Sequence, residues 1–234
     1  MKKSYLAQEV EKFSKYAAKW ADNSGEMRML HEFNPIRIEY ITRTIEKHFH
    51  ANYGEISILD FGCGGGILSN SLAKLGFNVT GVDPSAEIIK VAQASCFANL
   101  KYQVQDDFIS ENIDKFDVIV VSEVLEHVPD LELFFLQIMH RLAPGGLVII
   151  STINRTIESL VLAKFCAEYI LKIVPKHTHN WKAFLRPSEI NEKIEKYNMK
   201  SVDITGVNYN PFIRKFSISR DIKMNYFITF KNVG

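Results

Sequence analysis

The sequence predicts a doubly wound α/β fold, on three observations. First, an apolar run ends in Asp60 and breaks into a glycine-rich turn, ILDFGCGGG over Ile58–Gly66, followed by a helical pattern from Ile67 to Leu75. Strand, glycine turn and helix together are how a parallel sheet presents backbone N–H groups and a helix N-terminus to a ligand. Second, strand and helix patterns alternate from residue 56, which implies parallel strands joined by right-handed crossovers. Third, acidic residues stand where strands end, at the carboxyl edge of the sheet where such folds hold their ligands.

The elements follow in order. Residues 1–50 read as helical. Val10, Phe13, Tyr16, Ala17 and Trp20 recur at helical spacing, and Asn34-Pro35 starts a second helix with Ile36, Tyr40, Ile41 and Ile45 on one face. Strands are expected at 56–61, 78–83, 100–105, 117–122 and 146–152, with helices at 66–75, 85–98 and 130–142. Pro144-Gly145-Gly146 is a turn feeding the fifth strand. The rhythm breaks after Asn154: an apolar helix pattern covers 156–174, a further helix runs from about Pro187 to Tyr197, and 201–207 and 225–231 read as closing strands. The chain is read as one domain, 1–234, with a helical cap over 1–50 and a helical insertion over 154–187.

Composition narrows the function. A net charge of +1 over 234 residues argues against a general nucleic-acid binder. Cys63, Cys96 and Cys166 form no Cys-x-x-Cys pair, which fits a reducing compartment. Cys63 reads as a small filler inside the glycine turn. The N-terminus shows neither an apolar core of a signal peptide nor an Arg/Ser-rich transit pattern, so the expectation is a cytoplasmic protein.

The turn itself discriminates between ligand classes. A dinucleotide fingerprint needs G-x-G-x-x-G, and the sixth position counted from Gly62 is Ile67. What stands here, Asp-x-Gly-x-Gly-x-Gly, resembles motif I of class I S-adenosylmethionine (SAM) methyltransferases. Asp83 ends the second strand about twenty residues after the first glycine, where a carboxylate chelates ribose hydroxyls. Pro84 then opens a helix. Counting against a nicotinamide oxidoreductase is Ile67. Against a non-catalytic scaffold stands a second constellation, Asp117–Asp130, DVIVVSEVLEHVPD. A buried strand ends there at Ser122 and delivers Glu123, Glu126 and His127 to the sheet edge. If Glu123 begins a helical turn, the three fall at i, i+3 and i+4 on one face. They then hold a divalent cation, act as general bases, or merely cap a helix and line a pocket.

Several segments carry a closer resemblance: His31-Glu32-Phe33-Asn34-Pro35-Ile36-Arg37, Asp60–Leu68, Ser122–Asp130, Ser151-Thr152-Ile153-Asn154-Arg155, Ala167-Glu168-Tyr169-Ile170-Leu171, Val174-Pro175-Lys176 and Tyr209-Asn210-Pro211. On these the chain is similar to the ubiquinone-biosynthesis O-methyltransferases. The resemblance implies a Rossmann-like class I methyltransferase fold with a seven-stranded, mostly parallel sheet. It implies SAM as cofactor and O-methylation of polyprenylated catechols. Cofactor contacts carry over to Arg37, Gly62, Asp83 and Ser122, the last in place of a Met seen in relatives. Metal ligands carry over to Glu123, Glu126 and His127, for Mg or Zn. Without a metal, His127 is the candidate base, with Glu126 as a second catalytic candidate. A soluble catechol or phenol is the alternative acceptor. The resemblance also implies association with other enzymes of the pathway. A lipid-dissolved substrate suits the wide apolar face of 156–174, which is expected to touch the inner face of the membrane peripherally rather than span it; a helix buried in the domain core is the alternative reading.

Overall fold

The computed structural model describes residues 3–20, 22, 24–25, 27–95, 97–111, 114–160 and 181–234. Among them an eight-stranded sheet runs in the order β3-β2-β1-β4-β5-β8-β6-β7. Its parallel half is β1 (Ser57–Phe61), β2 (Asn78–Asp83), β3 (Leu100–Val104), β4 (Phe116–Ser122) and β5 (Leu142–Ile153). The antiparallel half, β6 (Met199–Asn210), β7 (Lys215–Ser219) and β8 (Asn225–Asn232), adds onto β5 through β8. The strand order reverses between β1 and β4, so the ends of these two strands flank the crevice where doubly wound sheets bind ligands.

Helix α1 (Ala7–Ser14) lies at the carboxyl edge, bonded to Ser85 and His127. Helices cover the two faces: α2 (Arg28–His48), α3 (Ile67–Lys74), α4 (Ala86–Ala92), α5 (Gln105–Glu111), α6 (Leu131–Met139) and α7 (Pro187–Glu195). Central strands are apolar on both sides, as a doubly covered parallel sheet requires. Leu59, Phe61, Ile119, Val121, Val148 and Ile150 pack with Phe134, Phe135 and Ile138 of α6. Ile58, Val118, Val120, Leu147 and Ile149 face the other way, onto Ile41 and Ile45 of α2 and Leu68 and Leu72 of α3.

Departures from expectation have local causes. Eight strands stand where seven are expected, because β7 returns from the β6 turn to pair Val207 with Ile218. Its exposed, alternating residues read as loop in the sequence. The second helix starts at Arg28 and carries Pro35 inside it. Burial of Phe33, Asn34, Ile36, Arg37 and Tyr40 outweighs the backbone bond that proline removes. Helix α4 begins at Ala86, with Ser85 rather than Pro84 at its start: the Ser85 hydroxyl accepts from Ile88 N at 3.2 Å. The unpredicted α5 interrupts the run after β3. The Pro144-Gly145-Gly146 turn is absorbed into β5, where the register shifts: Phe116 faces Leu142, but Val118 faces Leu147. The expected insertion helix 156–174 is mostly outside the described residues, as are Cys96 and Cys166. No helix among the described residues is long and apolar enough to cross a membrane.

Candidate active site at the carboxyl edge

Two neighbouring corners of the sheet edge make up the site. The first is the glycine turn between β1 and α3. Gly62, Gly64 and Gly66 have φ of 92°, 52° and 84°, a region that disfavours other residues. The turn is tied down by its own amides. Gly62 N and Cys63 N both donate to Val82 O, at 2.7 and 3.0 Å, and Gly64 N donates to Asp83 Oδ2 at 3.1 Å. Much of the N–H array expected to face a ligand is therefore used to shape the loop. Cys63 is buried, and burial pushes its thiol up, so it is a filler rather than a nucleophile.

Asp83 closes this corner. Its other oxygen accepts from Ser85 N at 2.9 Å. A carboxylate has about four acceptor sites, so both oxygens keep capacity for hydroxyl donors. Burial pushes its pKa up to about 6. Asp60, at the end of β1, is also buried and raised, and accepts from Ser69 Oγ at 2.5 Å.

Arg37 reaches the edge from α2 and is only 5 % exposed. Its Nη1 donates to Ser122 Oγ (3.3 Å); its Nη2 donates to Leu30 O (3.1 Å) and Asn34 Oδ1 (3.0 Å). All three partners are neutral, and the buried Nε has no partner among the described residues. Burial pulls its pKa down to about 10, against the opposing charges of Asp60 and Glu123. A buried guanidinium in this state suits an added carboxylate, which it can pair bidentately. The methionine carboxylate of SAM is such a group, and the ribose hydroxyls suit Asp83. The residues present therefore fit the cofactor.

The second corner follows β4. Glu123 has φ of 56° and lies outside the short 3-10 turn Leu125–His127, so the expected i, i+3, i+4 helical face does not form. Different contacts gather the side chains. Glu123 Oε1 accepts from Ser151 Oγ (2.9 Å) and Oε2 from Asn225 Nδ2 (3.3 Å). Glu126 Oε2 accepts from Thr152 Oγ1 (3.1 Å). Burial raises both carboxyl pKa values, and for Glu123 the neighbouring Glu126 charge adds to the shift. His127 turns to the N-terminal helix: its Nδ1 lies 3.1 Å from Glu9 Oε2, and its ring stands edge-on to Phe13 at 5.0 Å. Burial lowers its pKa. Among the described residues no group of three His, Cys, Asp or Glu side chains is arranged to hold a metal ion. With the imidazole on Glu9, the expected three-ligand set does not fit as it stands.

The structure thus brings Arg37, Ser122 and Glu123 together, and sets Gly62 and Asp83 in one corner. Sequence reasoning missed the supports Ser151, Thr152 and Asn225. Ser151 and Thr152 had a signal, since they lie at the end of the fifth expected strand. Glu9 had none, being one acid of a helix distant in sequence.

The chain matches a methyltransferase domain family over residues 7–203. It is 41 % identical over 230 residues to the ubiquinone biosynthesis O-methyltransferase of Methylobacterium nodulans, covering 94 % of this chain and 92 % of the relative. The enzyme of that name from Coxiella burnetii is 39 % identical over 230 residues, covering 95 % and 94 %. Solved structures share the fold. A DhpI complex with SAH aligns with a TM-score of 0.59 at 18 % identity, covering 99 % and 98 % of the two chains. The N-methyltransferase NodS of Bradyrhizobium japonicum, in complex with S-adenosyl-l-homocysteine, aligns at 0.58 with 15 % identity, covering 96 % and 98 %. An acid-rich sheet edge on this fold, with relatives matching nearly end to end, places the chain in the ubiquinone biosynthesis O-methyltransferase family of SAM-dependent enzymes.

Proposed function

We propose that this chain methylates a ring hydroxyl of a polyprenylated catechol, in a site framed by Arg37, Asp83, Glu123, Glu126 and His127. SAM-dependent O-methylation in ubiquinone biosynthesis is the activity of its family. The observation that carries the residue assignment is a buried Arg37 with no ionic partner among the described residues, set near two half-buried carboxyl groups, Glu123 and Glu126, whose pKa values are raised, at one sheet edge.

SAM, when bound, supplies an electrophilic methyl group. Arg37 would pair its carboxylate, Asp83 would accept its ribose hydroxyls, and the ends of β1 and β4, at Gly62 and Ser122, would line the site. Held there, the methyl group would be presented to an acceptor oxygen at the same sheet edge. His127 or Glu126 takes the proton of the catechol hydroxyl as that oxygen becomes nucleophilic. Burial favours neutral imidazole at His127, the form able to accept a proton. Glu123, pinned by Ser151 and Asn225, keeps the acid corner in register.

The chain is taken to act as one methyltransferase domain, with 1–50 as cap and 154–187 as insertion. The apolar sequence pattern of 156–174, most of which lies outside the described residues, suits a peripheral contact at the inner face of the membrane, where the tail of the acceptor resides. Association with other enzymes of the pathway belongs to the same reading.

The direct test is methyl transfer to a short-chain prenyl catechol and to unprenylated catechol. Preference for the prenyl acceptor supports the proposal; equal turnover favours a soluble catechol instead. Exhaustive chelation with elemental analysis separates base from metal. Retained activity supports His127 or Glu126 as base. Activity lost and restored by Mg or Zn assigns Glu123, Glu126 and His127 as ligands, with His127 turned away from Glu9. For the membrane contact, intact protein should co-sediment with anionic liposomes, and a folded 156–174 deletion should not.

A further inference from the structure

The glycine turn is roofed by a residue from outside the β–α units. Trp20, just after the 3-10 turn Ala17–Lys19, is only 9 % exposed. A Cβ at Gly64 would lie 2.2 Å from the Trp20 ring, and one at Gly65 would lie 2.5 Å from Trp20 Cβ. Both glycines therefore admit the indole as closely as their backbone allows. Behind the indole sit Met27 and Ile88, with Phe13, Tyr16, Leu30, Ile67 and Val91 around them. The Trp20 carbonyl is held by His31 Nε2 at 2.9 Å.

The segment leading to Trp20 is pinned across the carboxyl edge. Ser4 bonds Gln137 and Gln105, Tyr5 bonds Asp106, Glu9 meets His127, and Ser14 meets Ser85. Residues 4–20 thus lie as a strap over the ends of β2, β3 and β4. Apolar packing accounts for the indole ring. It does not account for the Nε1–H of the same indole, which is buried and has no acceptor among the described residues, on a ring that lies against the glycine turn.

We propose that Trp20 is a cofactor-contacting residue: its indole walls the SAM site above Gly64 and Gly65, and its Nε1–H donates to the bound cofactor. The proposal rests on the SAM reading above. It makes the strap part of the binding site.

The chain has two tryptophans, so Trp181→Phe leaves Trp20 as the only one and its emission reports on the site. Full-length Trp181→Phe protein is titrated with S-adenosylhomocysteine while fluorescence and calorimetry are read in parallel. A saturable emission change with the calorimetric midpoint is expected. Trp20→Phe keeps an aromatic ring and removes the donor. It should bind roughly fivefold more weakly, the scale of one neutral hydrogen bond, with a Tm close to that of the parent. Calorimetric binding with silent Trp20 emission overturns the proposal, and so does unweakened binding by folded Trp20→Phe. If Trp20→Phe does not fold, the Trp181→Phe titration decides alone. Absence of any binding heat in the wild-type protein overturns the SAM reading itself, and this proposal with it.

Discussion

The two corners of the site are built in opposite ways. In the glycine-turn corner, every carboxylate partner comes from the same β–α–β unit: Asp60 takes Ser69, and Asp83 takes Gly64 and Ser85, at most 19 residues away. In the acid corner, Glu123 takes Ser151 and Asn225, Glu126 takes Thr152, and His127 takes Glu9, with separations of 26 to 118 residues. The first corner forms whenever its local unit folds. The second exists only once β4, β5, β8 and the N-terminal helix are all in place. The hydrogen-bonded frame of the glycine turn is thus a local property of this chain, whereas the placement of Arg37 on Ser122 and of Glu123, Glu126 and His127 is a global one.

Substitutions in the acid corner should separate these properties most sharply. Glu126→Gln and His127→Ala should each bind S-adenosylhomocysteine normally, while the one that removes the base slows single-turnover methyl transfer by about 10²–10⁴-fold. If both variants keep near-normal transfer rates, neither residue is the base. If either loses cofactor affinity in step with rate, the corners are not separable.

Next in size is the turn. Gly62→Ala meets both a φ of 92° and a Val124 methyl 2.4 Å from the new Cβ. Strain and overlap together should cost about 3 kcal/mol in urea unfolding. Gly145→Ala is the control: its φ is 72° but nothing lies within 4 Å, so only backbone strain of about 1 kcal/mol is expected. Equal costs would mean that the Val124 contact relaxes freely.

Asp83→Ala tests the local corner alone. Cofactor affinity should fall tenfold or more, since a lost charged hydrogen-bond acceptor costs roughly 1.5–3 kcal/mol. Unchanged affinity by calorimetry would remove Asp83 from the site.

The smallest effect is the pH dependence. On the proposed assignment the ionised form of Asp83 is the one that would accept ribose hydroxyls, so cofactor affinity should be flat above neutrality and fall as pH drops below about 6, a decline absent in Asp83→Ala. Stability of the ligand-free protein should run the other way. Asp83 titrates near 3.8 when unfolded and near 6 when folded, so between these values the native state binds more protons. Stability therefore falls as pH rises through that window. Glu123 and Glu126 are raised as well and add to the same slope. Calorimetric affinity and urea midpoints across pH 4–8 would check both signs.

Much of this was legible in the chain itself. The turn after β1, the strand-end Asp83 and the alternation of strands and helices depend on interactions within about twenty residues, which is why pattern and spacing suffice. Arg37 was visible only through resemblance, because its side chain alone looks like any arginine on an amphipathic helix. The helical face of Glu123, Glu126 and His127 was misread: Glu123 takes the left-handed region and donates its N–H to Ser151 O, leaving the helix to start after it.

The amino-acid sequence by itself determined the parallel core, the conformation of the glycine turn and the acid that ends β2, since each follows from local backbone sterics and apolar periodicity. Only the tertiary structure decided which hydroxyls and amides hold Glu123 and Glu126, that Glu9 meets His127, and that Trp20 lies on Gly64 and Gly65. Those contacts join segments far apart in the chain, and no local rule of spacing reaches across the sheet order that brings them together.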